Sequence, residues 1–136
     1  MMDKISKREI EIILNEHELW LSGDVINGKQ ANFSEKMISI TNFKRAKLSK
    51  SKFTKAVLKT IEFVNADLHD ADFGYSQLTK IDFHDADLIG SNFKGAVFQK
   101  VHMNEDMYEQ MMDTLTENQK NGIITSYKKF MRKMIF

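Results

Sequence analysis

The sequence predicts an all-β solenoid of four-sided coils, closed by helices at both ends. Three observations predict it. Every fifth residue from Phe33 to Met103 is large and apolar, fifteen in succession. In a chain that is 42% hydrophobic, independent draws would give that on the order of once in a million. The residue two places before each of these is small or apolar and uncharged in fourteen of fifteen cases, Lys36 being the exception. Finally, aromatic and aliphatic members of the main series alternate with a period of ten from Phe33 to Leu88.

A period of five suits neither ordinary element. On a helix each five-residue step rotates by roughly 140°, which scatters the series around the surface. On a flat strand an odd step sends alternate members into water. All fifteen stay inside only if the chain turns by about a right angle every five residues, so that four pentapeptides close one coil and coils stack at the roughly 4.8 Å strand spacing. Twenty residues per coil then puts Phe33, Phe53, Phe73 and Phe93 on one wall, with Phe43, Phe63 and Phe83 facing them. Leu48, Leu68 and Leu88 line the third wall, and Ile38, Leu58, Leu78 and Phe98 the fourth. Layers of near-constant volume are what close packing requires, so Phe53, Phe63, Phe73 and Phe83 are expected to be inaccessible to water.

Segments such as Ala66-Asp67-Leu68-His69-Asp70, Ala71-Asp72-Phe73-Gly74-Tyr75 and Ala86-Asp87-Leu88-Ile89-Gly90 resemble the A-(D/N)-(L/F)-x-x unit of pentapeptide repeat proteins. The resemblance covers about residues 31–105. It implies a right-handed quadrilateral β-helix of about four coils, with the Phe/Leu position and the small position two before it both pointing inward. Lys36 departs from the unit, as do bulky Ile61, Ile81 and Val101 where Ala is usual. These three share a column with Thr41, so one wall is expected to carry larger fillers.

Open solenoid ends need covers. One domain of three parts follows: a helical cap and loop over 1–30, the β-helix over 31–105, and a capping or dimerising helical segment over 106–136. The upstream helix is expected over 6–21. Ser6-x-x-Glu9 reads as a capping box, Ile10, Ile13, Leu14, His17 and Leu21 form its apolar stripe, and Gly23 suits its stop. Glu18-Leu19-Trp20-Leu21 is expected to seal the first coil. Downstream, helices are expected over about 105–116, presenting Met107, Met111 and Leu115, and over 118–134, presenting Ile123, Tyr127, Phe130, Met131 and Met134. Gly122 argues against continuity of the second. Six of the nine Met lie at or after 103, and such surfaces adapt readily to a partner. A homodimer through these helices is therefore expected, and removal of 118–136 is expected to separate it without melting the solenoid.

The sequence assigns no catalytic residue, cofactor or metal ligand. Without Cys there are no disulfides or thiolate sites. Nucleotide-loop and hydrolase motifs are missing too. His69-Asp70-Ala71-Asp72 and its echo His84-Asp85-Ala86-Asp87 bring imidazole beside carboxylate, but the copies fall on adjacent walls, and neighbours on a convex surface are expected to fan apart. The ladder Glu62, Asp82, His102 lacks a cavity. His17, on the apolar helix face, reads as a packed, hydrogen-bonded residue. The start of the sequence has no apolar leader, and no apolar run approaches the roughly 20 residues of a membrane span, so a cytoplasmic protein without membrane contact is expected.

Charge separates along the chain. Residues 31–60 carry eight Lys/Arg and one Glu, whereas 61–105 carry three Lys and eight Asp/Glu. The later coils thus form an acidic band of Asp67, Asp70, Asp72, Asp82, Asp85 and Asp87. The wall of Met37, Val57 and Val97 has no acid at its outer positions and sets apolar residues where the family has Asp or Asn, which marks it as a docking face or the resting place of a terminal segment. These features predict a non-catalytic interaction or scaffold module with an unidentified protein partner, contacted through Met37, Val57, Val97, Tyr127, Phe130, Met131 and Met134. The resemblance also implies an alternative, a DNA mimic acting on DNA gyrase or topoisomerase. Nucleic acid itself is not expected as a partner, because the basic coils lack interleaved aromatics.

Overall fold

The computed structural model describes residues 2–125. A pair of residues, β1 (Asp3–Lys4), precedes helix α1 (Lys7–Leu21). Strands β2 (Lys36–Asn42), β3 (Val57–Glu62), β4 (Gln77–Asp82) and β5 (Val97–His102) recur every twenty residues. Helix α2 (Glu105–Met111), a 3-10 turn (Met112–Thr114), helix α3 (Glu117–Asn121) and β6 (Ile123–Ile124) follow. The six strands form one parallel sheet in sequence order, and this sheet is one wall of the solenoid.

The right-angle turn has a visible cause. The last residue of every pentapeptide from Glu35 to Lys100 takes a positive φ, between 49° and 74°, whatever its type. On three walls the turn closes by an amide bonding back three residues, as in Ala46 N–H to the Phe43 carbonyl and Ala66 N–H to that of Phe63. That is type II turn geometry, with the left-handed residue third of four. A small residue suits the tight position after it. On the fourth wall the ladder runs on through Ile40, Thr60 and Lys80, and there the bulky fillers Thr41, Ile61, Ile81 and Val101 stand in register. Larger side chains occur where the strand continues, and small ones where it folds sharply.

All fifteen members of the main series are buried, none more than 7% exposed, and Phe53, Phe63 and Phe73 are wholly inaccessible. Phe33, Phe53, Phe73 and Phe93 stack with ring centroids 4.8–5.0 Å apart, and meet the facing Phe43, Phe63 and Phe83 stack edge to face. Lys36 keeps its charge near the surface, where its Nζ reaches Asp3 at 3.5 Å.

The ends differ from expectation in several respects. The first is β1, which pairs Asp3 with Lys36 and Lys4 with Met37 and so adds buried Ile5 to the sheet's inner face. The seal at that end is made by Ile10 and His17 with Ile13 and Leu14. Leu19 is exposed because it lies off the stripe that faces the coil, and Leu21, expected on the stripe, is exposed too, at the last residue of the helix. Downstream, the first expected helix breaks into α2 and the 3-10 turn. The second ends at Asn121, and Ile123 joins β5 opposite Val101, extending the bulky column by one member. Gly122 permits that change of course: any side chain there would collide with the Phe98 carbonyl. Gln119 is buried and donates through Nε2 to the carbonyls of Phe93 and Ala96. A truncation meant to spare the solenoid must therefore leave Gln119 and Ile123 in place. Tyr127, Phe130, Met131 and Met134 lie outside the described residues.

Ile40 combines a β-branched side chain with φ of 49° and 78% exposure. The left-handed region costs such a residue about 1–2 kcal/mol. Ile40→Asn, which tolerates this conformation, is expected to raise the unfolding free energy by about 1 kcal/mol in urea titration.

Candidate functional site

The sheet wall carries one outward row in register, Met37, Val57, Gln77 and Val97. Met37 and Val97 are exposed and Val57 is half-buried. Ile40 stands at the corner of the same wall. The sequence marks Met37, Val57 and Val97, and the structure brings them onto one face; it adds Ile40, whose signal was an apolar residue at a corner that Lys80 and Lys100 fill in later coils. A second apolar group stands on the loop after α1: Val25 and Ile26 are about nine-tenths exposed there, on a loop held by Asp24, whose carboxylate accepts from the amides of Ile26 and Asn27.

The acidic band has a structural component that sequence reading overlooked. Asp67, Asp72, Asp82 and Asp87 each turn one oxygen to the amide two residues on, of His69, Gly74, His84 and Ile89 respectively. Asn32, Asn42 and Asn92 do the same in their own units. Such Asx turns explain why the unit takes Asp or Asn at this place. Asp85 pairs with the Asn104 amide across one coil at 2.9 Å, and Asp70 lies at an exposed corner against Gly90.

The charge reversal is a contact between neighbouring coils, since Lys47 registers with Asp67 and Lys52 with Asp72. Both His-Asp echoes also make a short bond backward in the chain: His69 Nδ1 lies 2.6 Å from Asp67 Oδ1, and His84 Nδ1 lies 2.6 Å from Asp82 Oδ1. That hydrogen bond, aided by the charges of Asp67, Asp70 and Asp87, raises the His69 pKa above its ordinary value and outweighs the opposing effect of burial. The expected fanning apart therefore fails at one place, where Asp67, His69 and Asp87 converge. A residue's neighbours on this surface lie two away in sequence and twenty away in the next coil, and only the first spacing is visible as a motif.

The recess beside α1, lined by Asn15, Glu18, Leu19 and Lys47 among others, contains no imidazole, and its Ser22 hydroxyl donates to the Leu19 carbonyl. No described helix is long and apolar enough to cross a membrane.

No curated protein matches the chain. Among solved structures it is similar to a pentapeptide repeat protein from the Arabidopsis thaliana thylakoid lumen, at 21% identity over 68% of this chain and 79% of that one, with a TM-score of 0.47. A second similar structure is a pentapeptide repeat protein from Nostoc, at 16% identity over 93% and 99% of the two chains, with a TM-score of 0.33. A third, from the cyanobacterium Cyanothece, has 14% identity over 52% and 62%, with a TM-score of 0.34. The model of pentapeptide repeats matches eight copies, over residues 41–74 and 76–105. Those copies coincide with the coils and corners described above, and the chain belongs to the pentapeptide repeat family, with its right-handed β-helix.

Proposed function

We propose that this protein is a non-catalytic interaction or scaffold module whose docking face is the wall of β2–β5. One observation carries the reading: Ile40, a β-branched residue in a strained conformation, holds an apolar side chain in water beside Met37 and the row containing Val57 and Val97. Strain of this kind is retained where the surroundings or a function require it, and the rest of the corner series shows that the fold accepts Lys or Asp there. The family is generally an interaction and scaffold fold, which agrees.

The test separates docking from stability. The full chain and its Ile40→Asn and Val97→Lys variants are immobilised and exposed to cross-linked extract of the native cell, with Ile89→Lys, on a different wall, as control. Loss of the same captured protein from both wall variants, with the control unchanged, is the expected result. Equal capture by all four would refute the reading.

The alternative, a DNA mimic acting on gyrase or topoisomerase, draws its support from the exposed carboxylates of Asp70, Asp85 and Asp87. Four of the six band carboxylates are committed to turns, which leaves less of the band free to imitate phosphates. Inhibition of gyrase supercoiling by the intact protein, lost in the Asp70→Asn/Asp85→Asn variant, would favour it over the docking wall.

A further inference from the structure

Stacking in register places like positions of successive coils about 4.8 Å apart. On the wall lined inside by Leu48, Leu68 and Leu88, the outer ladder runs Lys47, Asp67, Asp87. Two carboxylates directly opposite one another on neighbouring strands repel. The equivalent contact on the next wall is relieved within the protein, because Asn92 Nδ2 donates to Asp72 Oδ1 at 2.9 Å. At Asp67 and Asp87 no such bond joins the two positions; Lys47 stands opposite Asp67 on the coil before, and the third group beside the two carboxylates is the His69 imidazole.

One ligand atom each from Asp67, His69 and Asp87 falls within 4.8 Å of the others, and this is the one such set among the described residues. The carboxylates are held by their bonds to the amides of His69 and Ile89, on two neighbouring coils that the backbone ladder fixes relative to each other. Ligands at about 2.1 Å from one ion lie roughly 3–4 Å apart, so the spacing closes by side-chain rotation alone. Two carboxylates with a neutral imidazole carry two negative charges, the complement of a divalent ion. An imidazole in the set favours a borderline transition metal over calcium or magnesium, which take oxygen ligands. We propose that Asp67, His69 and Asp87 form a surface site for a divalent transition-metal ion of the zinc type, with water completing the coordination.

The site spans two coils, so the bound ion would clamp one to the next. The echo at Asp82 and His84 serves as an internal comparison. Its stacked neighbour in the following coil is His102, not a second acid.

The experiment titrates the chelator-treated full chain with zinc chloride, followed by calorimetry and by the imidazole nitrogen resonances in NMR. One equivalent should bind, with the His69 resonances shifting, and a tenfold excess of calcium should leave it in place. Asp87→Asn and His69→Gln should each weaken binding by about tenfold or more, while His84→Gln should not. Asn fills the same turn position at Asn92, so Asp87→Asn keeps the fold, and unchanged circular dichroism checks this. The proposal is overturned if zinc up to millimolar concentration moves neither heat nor His69, or if Asp87→Asn and His69→Gln bind as tightly as the parent. An equal loss in His84→Gln would overturn it too, by showing diffuse chelation over the acidic coils.

Discussion

Replacing Phe73 with alanine is expected to lower the unfolding free energy by about 3–5 kcal/mol, measured by urea titration. Phe73 has no exposed surface and touches four other rings, stacked at 4.8 and 5.0 Å on Phe53 and Phe93 and edge-on at 6.1 and 5.9 Å to Phe63 and Phe83. The substitution removes the buried ring and leaves a cavity that the walls cannot close, because each wall is fixed by backbone bonds to the coils above and below. The lost ring contacts, about 0.5–1.5 kcal/mol for each well-oriented pair, are part of that loss. Small domains are stable by about 5–15 kcal/mol, so the variant should be only marginally folded. Phe93→Ala, next to the α3 cap and 7% exposed, should cost less. A loss below about 2 kcal/mol for Phe73 would mean that neighbouring coils can slide inward, contrary to the rigid ladder.

His17 gives the second large effect. Its ring is wholly buried, stacked on Trp20 at 5.3 Å, and bonded twice to the main chain. The Ala31 amide donates to Nδ1 at 2.8 Å, so Nδ1 carries no proton and Nε2–H donates to the Ser49 carbonyl at 2.8 Å. His17→Leu strands both groups, at about 1–3 kcal/mol each, and should cost about 2–6 kcal/mol in total. Burial holds the His17 pKa below its ordinary value of 6.5, outweighing the bond to Ser49 and the charge of Glu18. The unfolded chain therefore binds a proton that the folded chain refuses. His17 contributes its full stability above about pH 6.5, and that contribution falls as pH drops toward the lower folded pKa. His69 works in the opposite sense, since its raised pKa favours the fold at low pH and that gain is lost as pH rises through the folded value. The difference between parent and His17→Leu melts, taken from pH 8 to pH 5, isolates His17 and should shrink on acidification.

The repeat was legible because each coil writes its inward position at a fixed interval; nothing but a turning chain keeps Phe33 through Met103 on one side. Helix α1 was legible from Ser6 and the spacing of Ile10, Ile13, Leu14 and His17. The two-residue strands β1 and β6 were not, since a pair of residues has no period. Ile123 also falls twenty-two residues after Val101, out of phase with the coils, and its spacing to Tyr127 and Phe130 reads as a helix. Pairing with the exposed edge of β5 overrides that local pattern. The Asp67, His69 and Asp87 cluster was hidden for a related reason, because half of it is a sequence neighbour and half is a coil neighbour. Ile40 was visible as a residue but not as a strained one.

A β-solenoid is in chemical terms a short length of fibre, each coil being a template on which another can grow. Alongside the short strands β1 and β6, a pair of side chains acts here as counterfeit backbone at the two ends. Between coils, corner amides from Glu35 to Tyr75 outside the sheet wall donate to the carbonyl nineteen residues later, as Lys50 does to His69 and Asp70 to Ile89. By that rule the Ser49 carbonyl awaits an amide from the coil before it, and the His17 imidazole takes the place instead. Small-position carbonyls such as that of Ser76 accept from the amide twenty-one residues later, that of Val97. The Ala96 carbonyl awaits the same from a coil after it, and the Gln119 side-chain amide supplies the bond. At each end an edge carbonyl is thus satisfied from within the chain and closed to a second molecule, and a mutation at either residue would free that carbonyl as well as weaken a monomer.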